Sequence, residues 1–298
     1  SNLPWAMVLE ASYLGAKGTR LDVQRLPNQA PPGSPSNSED RRPIPDAIGF
    51  TLDSAIGNSI YHAGQLRLTR RFRSGLSFNT LYIYGKSIDD VSTYGGGRTV
   101  VVQNNADIRA ERGLSSFDLR HSLNLNIVYS TSSGRRGATR PMQGFLGHFL
   151  KDWLFTGTIQ ANSGNPLTAT VLGNRSDAGG SGVVGSARAD STGLPVTDAT
   201  EGRFFNLAAF AIPAAGAYGN AARNSIPGPR SFVLNGSVGR SFPVWGEQRR
   251  LELRLEGNNV LNTVNFTSLG TTINAADYGL PTNTAQMRRL SVELRFRF

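Results

Sequence analysis

The chain has 298 residues, with 31 Lys and Arg against 21 Asp and Glu and a formal net charge of +10. Its complete lack of Cys excludes a disulfide framework, a thiolate metal site and a cysteine nucleophile. No apolar run reaches the roughly 18 residues of a membrane helix, and the mean hydropathy of -0.26 leaves membrane-crossing strands open, because alternating strands average to polar.

Segments of period two predict about eight strands, each near the 9–11 residues that cross a bilayer at a tilt. The first, at about 5–13, sets Trp5, Met7, Leu9, Ala11 and Tyr13 on one face. The second, about 60–72, sets Leu66, Leu68 and Phe72 against Gln65, Arg67, Thr69 and Arg71. The third, about 76–86, carries Leu76, Phe78, Tyr82 and Tyr84, with Leu81 and Ile83 blurring its polar side. In the fourth, about 117–129, Phe117, Leu119, Leu123, Leu125, Ile127 and Tyr129 alternate with Asp118, Arg120, Ser122, Asn124 and Asn126. The fifth, about 151–161, has Trp153, Phe155 and Ile159 opposite Thr156, Thr158 and Gln160. The sixth, about 230–240, places Phe232, Leu234 and Val238 opposite Asn235 and Ser237. The seventh, about 249–257, sets Leu251, Leu253 and Leu255 against Arg250, Glu252, Arg254 and Glu256.

The eighth strand alternates most strictly. Leu290, Val292, Leu294, Phe296 and Phe298 interleave with Ser291, Glu293, Arg295 and Arg297. A barrel strand facing lipid needs this pattern, and a terminal Phe fits a strand handled by the barrel-assembly machinery.

The connections alternate long and short. Predicted loops at about 14–59, 87–116, 162–229 and 258–286 are long and rich in Gly, Pro, Ser and Asn. The links around Ser74-Gly75, at about 131–150, and around Pro243-Val244-Trp245-Gly246 are shorter. Long structureless loops count against a compact soluble domain, whereas outer-membrane barrels combine short periplasmic turns with long extracellular loops. The opening Ser1-Asn2-Leu3-Pro4-Trp5 lacks an initiator Met and a signal peptide, so a piece of a longer protein is expected.

No catalytic constellation emerges. His62, His121 and His148 are too scattered for a metal site, no Gly-x-Ser-x-Gly elbow occurs, and Gly85-Lys86-Ser87 lacks the glycine a phosphate loop needs at position 80. Gly179-Gly180-Ser181-Gly182 reads as a flexible loop, and Asp89-Asp90 and Glu39-Asp40 read as solvated loop charges. No enzyme activity and no cofactor are expected. The basic residues are dispersed, with doublets such as Arg70-Arg71 and Arg249-Arg250 at strand ends, which suits anionic lipid and lipopolysaccharide better than nucleic acid.

Several stretches resemble the C-terminal barrel portion of TonB-dependent outer-membrane receptors, especially the Oar-like group. They are the run from Tyr61 to Phe72 leading into Gly75-Leu76-Ser77-Phe78, and Ala110-Glu111-Arg112-Gly113 followed by Phe117-Asp118-Leu119-Arg120-His121. Further on come Ser163-Gly164-Asn165-Pro166-Leu167-Thr168, Phe205-Asn206-Leu207-Ala208-Ala209-Phe210, Gly219-Asn220-Ala221-Ala222-Arg223-Asn224, and Asn258-Asn259-Val260-Leu261-Asn262. The resemblance implies the last eight or so strands of a roughly 22-stranded barrel, an N-terminal plug absent from this chain, and uptake of a scarce solute energised through TonB. These motif residues are expected to serve strand ends and loop packing.

The expectation is therefore an all-β, antiparallel transmembrane barrel section spanning 1–298 in a bacterial outer membrane, with long recognition loops. Trp5, Tyr82, Tyr84, Tyr129 and Trp153 are the expected interfacial aromatics. Arg67, Arg120, Glu252, Arg254, Glu256, Glu293 and Arg295 are the expected lumen-facing charges; those on the last two strands, with Arg297, would form a cross-strand ion-pair ladder or contact a plug or solute. Two rival readings remain: a self-contained eight-stranded barrel serving as anchor or adhesin, and a soluble secreted β-rich binding protein.

Overall fold

The computed structural model describes residues 2–33, 38–47, 51–91, 102–131, 151–173, 175–176, 187–244 and 249–298. Eight long strands dominate it: β1 (Met7–Arg25), β2 (Leu52–Arg73), β3 (Leu76–Asp89), β4 (His121–Ser130), β5 (Trp153–Asn162), β6 (Ser231–Pro243), β7 (Arg250–Asn258) and β8 (Arg289–Arg297). They pair in chain order and antiparallel throughout, forming one meander. No α-helix occurs among the described residues.

Register makes the alternation of each strand into a property of the whole sheet. Residues directly opposed in an antiparallel pair share a face. Leu9 opposes Leu68, which opposes Thr80, and the row continues through Leu125, Ile159 and Leu234. A second row runs Leu76, Tyr129, Phe155, Val238, Leu255 and Val292. The opposite face carries rows such as Thr69, Asn79, Asn126, Thr158 and Asn235. There Thr158 Oγ1 donates to Asn126 Oδ1 at 3.0 Å, and the Thr156 and Ser237 hydroxyls bond at 2.7 Å.

The sheet is open. One edge is β1, covered only at its start by Asn2–Leu3 folding back onto Met7 and Val8; the other is β8, which is exposed along its whole length.

The buried apolar cluster lies outside the sheet. Leu167, Ala169, Val171, Ala189, Phe205, Ala209, Phe210, Ala221, Ile226 and Leu269 pack into one core drawn from the connections after β5 and β7. Phe205 is 1% exposed and meets Phe210 and Tyr278 edge-on, with centroids at 6.3 and 5.4 Å. Bridges Leu167 to Ile226 and Thr170 to Arg188 stitch the first connection to itself, and Thr170 to Thr272 joins it to the second. These loops form a folded cap.

Several expectations need correction. β1 and β2 run well beyond 5–13 and 60–72, so much of the expected loop at 14–59 is a long hairpin. Gly15, Gly18 and a bulge around Arg20, with φ of 56°, interrupt the alternation and hid the extension. Trp5 lies before β1 in a 3-10 turn, with φ of 61°. The fourth strand starts at His121, because Asp118 Oδ1 accepts the Ser87 N–H at 2.6 Å and turns residues 115–118 into a cap on β3. Phe298 lies one residue past the ladder, with its ring stacked on Phe296 at 6.1 Å. Asp89 is a buried ion-pair partner, 1% exposed, where a solvated charge was expected. The glycines at 179–182, Trp245, Gly246, His148 and most of the 131–150 link lie outside the described residues.

Candidate functional site

The cap is joined to the sheet through a buried polar junction at the outer end of β3. Gly113 and Leu114 pair with Asp89 and Ile88, extending the ladder into the connection after β3. Arg223 reaches this point from the cap. Its Nη2 donates to Asp89 Oδ1 at 2.5 Å and to the Asp89 carbonyl at 2.6 Å, while its Nε donates to the Glu111 carbonyl at 2.8 Å. Asn224 donates to the Leu114 carbonyl at 2.6 Å. No side chain fits at Gly113, because a Cβ there would lie 2.5 Å from the Arg223 carbonyl oxygen.

A second ion pair sits beside the first. Glu111 is 0% exposed; it accepts from the Arg188 guanidinium and, at 2.7 Å, from the Gln103 N–H. Gln103 in turn accepts the Arg188 N–H at 2.9 Å and donates to the Gly219 carbonyl at 2.8 Å. Burial raises the Glu111 carboxyl above its ordinary 4.5, against the opposing pull of Arg188 and the Gln103 N–H. Elsewhere in the cap, burial pushes the Tyr278 phenol up to about 12. Both buried carboxylates face a guanidinium, which is how charge survives in so dry a place, while Arg188 Nε is buried without a hydrogen-bond partner among the described residues.

The polar face of the last two strands carries alternating charge. Register sets Glu252 against Arg295 and Arg254 against Glu293. The closest contacts run along and diagonally across the strands: Arg254 to Glu256 at 2.9 Å, Arg295 to Glu293 at 2.7 Å, and Arg297 to Glu252 at 3.3 Å. Glu252, Arg254, Glu293, Arg295 and Arg297, with Ser237 of β6, line a cavity of about 360 Å³. Arg67 occupies the same face further round, opposed to Glu10. Arg120 departs from that placement. It precedes β4, pairs with Asp118 at 3.6 Å and lays its guanidinium 5.9 Å from the centre of the Tyr84 ring on the apolar side.

Aromatic residues gather at both rims of the apolar face. Tyr13 stacks on His62, and Tyr82 and Tyr84 flank His121, with Tyr82 Oη and His121 Nδ1 hydrogen-bonded at 2.7 Å. At the opposite rim Tyr129 and Trp153 flank Phe155, and Arg240 lies over Trp153 at 5.6 Å and Phe242 at 4.9 Å. His121 to Tyr129 along β4 is nine residues, about 26 Å along the strand at ~3.3 Å per residue, which matches the roughly 9–11 residues of a tilted membrane-crossing strand. Trp5 is 73% exposed beyond the start of β1. Leu290, Val292, Leu294 and Phe296 continue the apolar face to the sheet edge.

The junction residues Asp89, Gln103, Glu111, Arg188 and Arg223 were not singled out as a site from the sequence. Their signal was present, since Glu111 and Arg223 both fall within the family-like motifs quoted above.

The fold resembles the outer membrane transporter YddB from Escherichia coli, at 11% identity and a TM-score of 0.50, over 98% of this chain and 30% of that one. The chain thus spans less than a third of that transporter's length. No curated protein matches the sequence. The model of the outer membrane beta barrel domain matches residues 1–291. With an apolar face bounded by two aromatic rims and a polar face behind it, this chain belongs to the outer membrane beta barrel domain family.

Proposed function

We propose that the chain is the C-terminal barrel section of a TonB-energised receptor that takes up a scarce solute, such as a siderophore, vitamin, glycan or peptide. The observation that carries this reading is the cap, a packed unit pinned to the strand ends by the Asp89–Arg223 and Glu111–Arg188 pairs. A membrane anchor needs no such structure on its outer loops, whereas recognition favours loops held on a rigid scaffold. The open edges, along β1 past Val8 and along β8, support a larger parent barrel, since an open edge in lipid leaves backbone groups unsatisfied. Closure by further strands, a plug inside, and contact with TonB through that plug belong to the proposal.

The test uses the full-length protein in its native outer membrane. Its gene is deleted and restored, and uptake of ferric siderophores, cobalamin, oligosaccharides and peptides is measured with and without a protonophore. The expected result is loss of one energy-dependent uptake on deletion and its return on restoration. Unchanged uptake of all four classes, or an intact mass close to 32.0 kDa, would overturn the reading.

A further inference from the structure

Just outside the outer aromatic rim, the membrane-facing side of the sheet turns basic. The row Tyr13, Gly64, Tyr84, His121 marks that rim. Two residues further out His62 opposes Lys86, and two more bring the row Lys17, Ile60, Ile88, Leu114. All belong to the apolar face by register, yet Lys17 and Lys86 are exposed charges. Lys17 lies about 13 Å beyond Tyr13 along the strand at ~3.3 Å per residue, so a tilted strand carries it into the headgroup zone.

The connection after β3 returns to this spot. Arg109 and Arg112, both exposed, join Lys17, Asn58, Ser59 and Asp90 around a cavity of about 490 Å³. Asp90 is already engaged, its Oδ1 accepting the Asn58 N–H at 2.7 Å, and the three basic side chains leave the lining positive. Three cations converging above an aromatic rim, on the side that faces lipid, match a phosphorylated headgroup whose acyl chains run down the apolar face below.

We propose that Lys17, Arg109 and Arg112 form a binding site for the phosphorylated headgroup of an outer-leaflet glycolipid, with Lys86 as a flanking contact. The ligand is a lipid, because Lys17 and Ile60 of the cavity lining belong by register to the apolar face of the sheet. Ion pairing supplies the affinity, so binding weakens with salt. The bound lipid would fill the corner between the long β1–β2 hairpin and the cap's attachment to β3.

The test uses the full-length protein purified from outer membranes in mild detergent, stripped of lipid and titrated with deep-rough lipopolysaccharide. The Lys17→Ala, Arg109→Ala, Arg112→Ala triple variant should lose roughly a hundredfold in affinity, at about fivefold for each charge worth ~1 kcal/mol. Arg288→Ala, an exposed basic change in another outer loop, should bind as the parent does. Heat-modifiable migration on gels checks that each variant is folded, and the single Lys17→Ala variant, expected to lose about fivefold, replaces the triple if it is not. Equal binding of dephosphorylated lipopolysaccharide would overturn the proposal. So would inorganic phosphate displacing the lipid at matching concentrations, or a folded variant that binds undiminished.

Discussion

Arg223 spans Asp89 at the end of β3 and the carbonyl of Glu111 in the following connection, so one side chain holds cap, loop and strand together. The pair is buried on both sides, at 3% and 1% exposure. Removing one partner leaves an uncompensated buried charge, which costs far more than the intact pair contributes.

Arg223→Ala should therefore loosen the cap by about 3–5 kcal/mol while leaving the membrane strands assembled. Limited proteolysis in intact outer membranes reads this as new cleavage between residues 163 and 230 with unchanged heat-modifiable migration. Arg223→Lys should rescue only in part, since an ammonium cannot reproduce the planar set of contacts to Asp89 and Glu111. An uncleaved Arg223→Ala cap would remove the junction from the account.

Glu111 gives the junction a pH dependence of definite sign. Its carboxyl is raised above 4.5 by burial, so the folded cap holds this proton more tightly than the open one. The associated stability is present in full below 4.5 and is lost as pH rises from there through the raised value. Hydrogen exchange of the cap amides should accelerate, relative to the intrinsic rate, across that window. Glu111→Gln should abolish that slope; a variant with the parent's slope would assign the titration to another group.

Phe205→Ala tests the cap's apolar core. Deleting a fully buried Phe costs about 3–5 kcal/mol, and here Phe210, Tyr278 and the aliphatic cluster lose their common neighbour. Protection of the cap amides should fall, while the strands keep theirs. A uniform loss across cap and sheet would show that the two fold as one unit.

Leu294→Arg places a charge in the middle of the apolar face of β8, opposite Leu253. At mid-bilayer depth this costs about 2–4 kcal/mol, and it should reduce outer-membrane assembly. Ser291→Arg, on the polar face opposite Glu256, should assemble normally. Phe298→Ala should also impair assembly, through loss of its stack on Phe296. Comparable assembled amounts of Leu294→Arg and Ser291→Arg would reverse the assignment of faces.

The membrane-facing half of the fold was legible because its determinants are local. A period of two is imposed by backbone geometry, so Leu251, Leu253 and Leu255 declare a strand, a face and a solvent without reference to any other strand. The same locality explains where the reading failed. Gly15, Gly18 and the bulge at Arg20 break the alternation, and the hairpin continues because pairing with 52–59 sustains it. Asp118 looks like a strand residue until Ser87 is known to lie beneath it.

The sequence by itself determined which side of most strands is apolar, since alternation is written into neighbouring residues. Tertiary structure alone decided that the long loops form a packed cap and that Asp89, Glu111, Arg188 and Arg223 are the ion pairs that join it to β3 and the connection after β3. Arg223 and Asp89 stand 134 positions apart, and nothing in the pattern around either names the other. Burial of a charge is a property of what folds over it, and that is fixed only when distant segments close together.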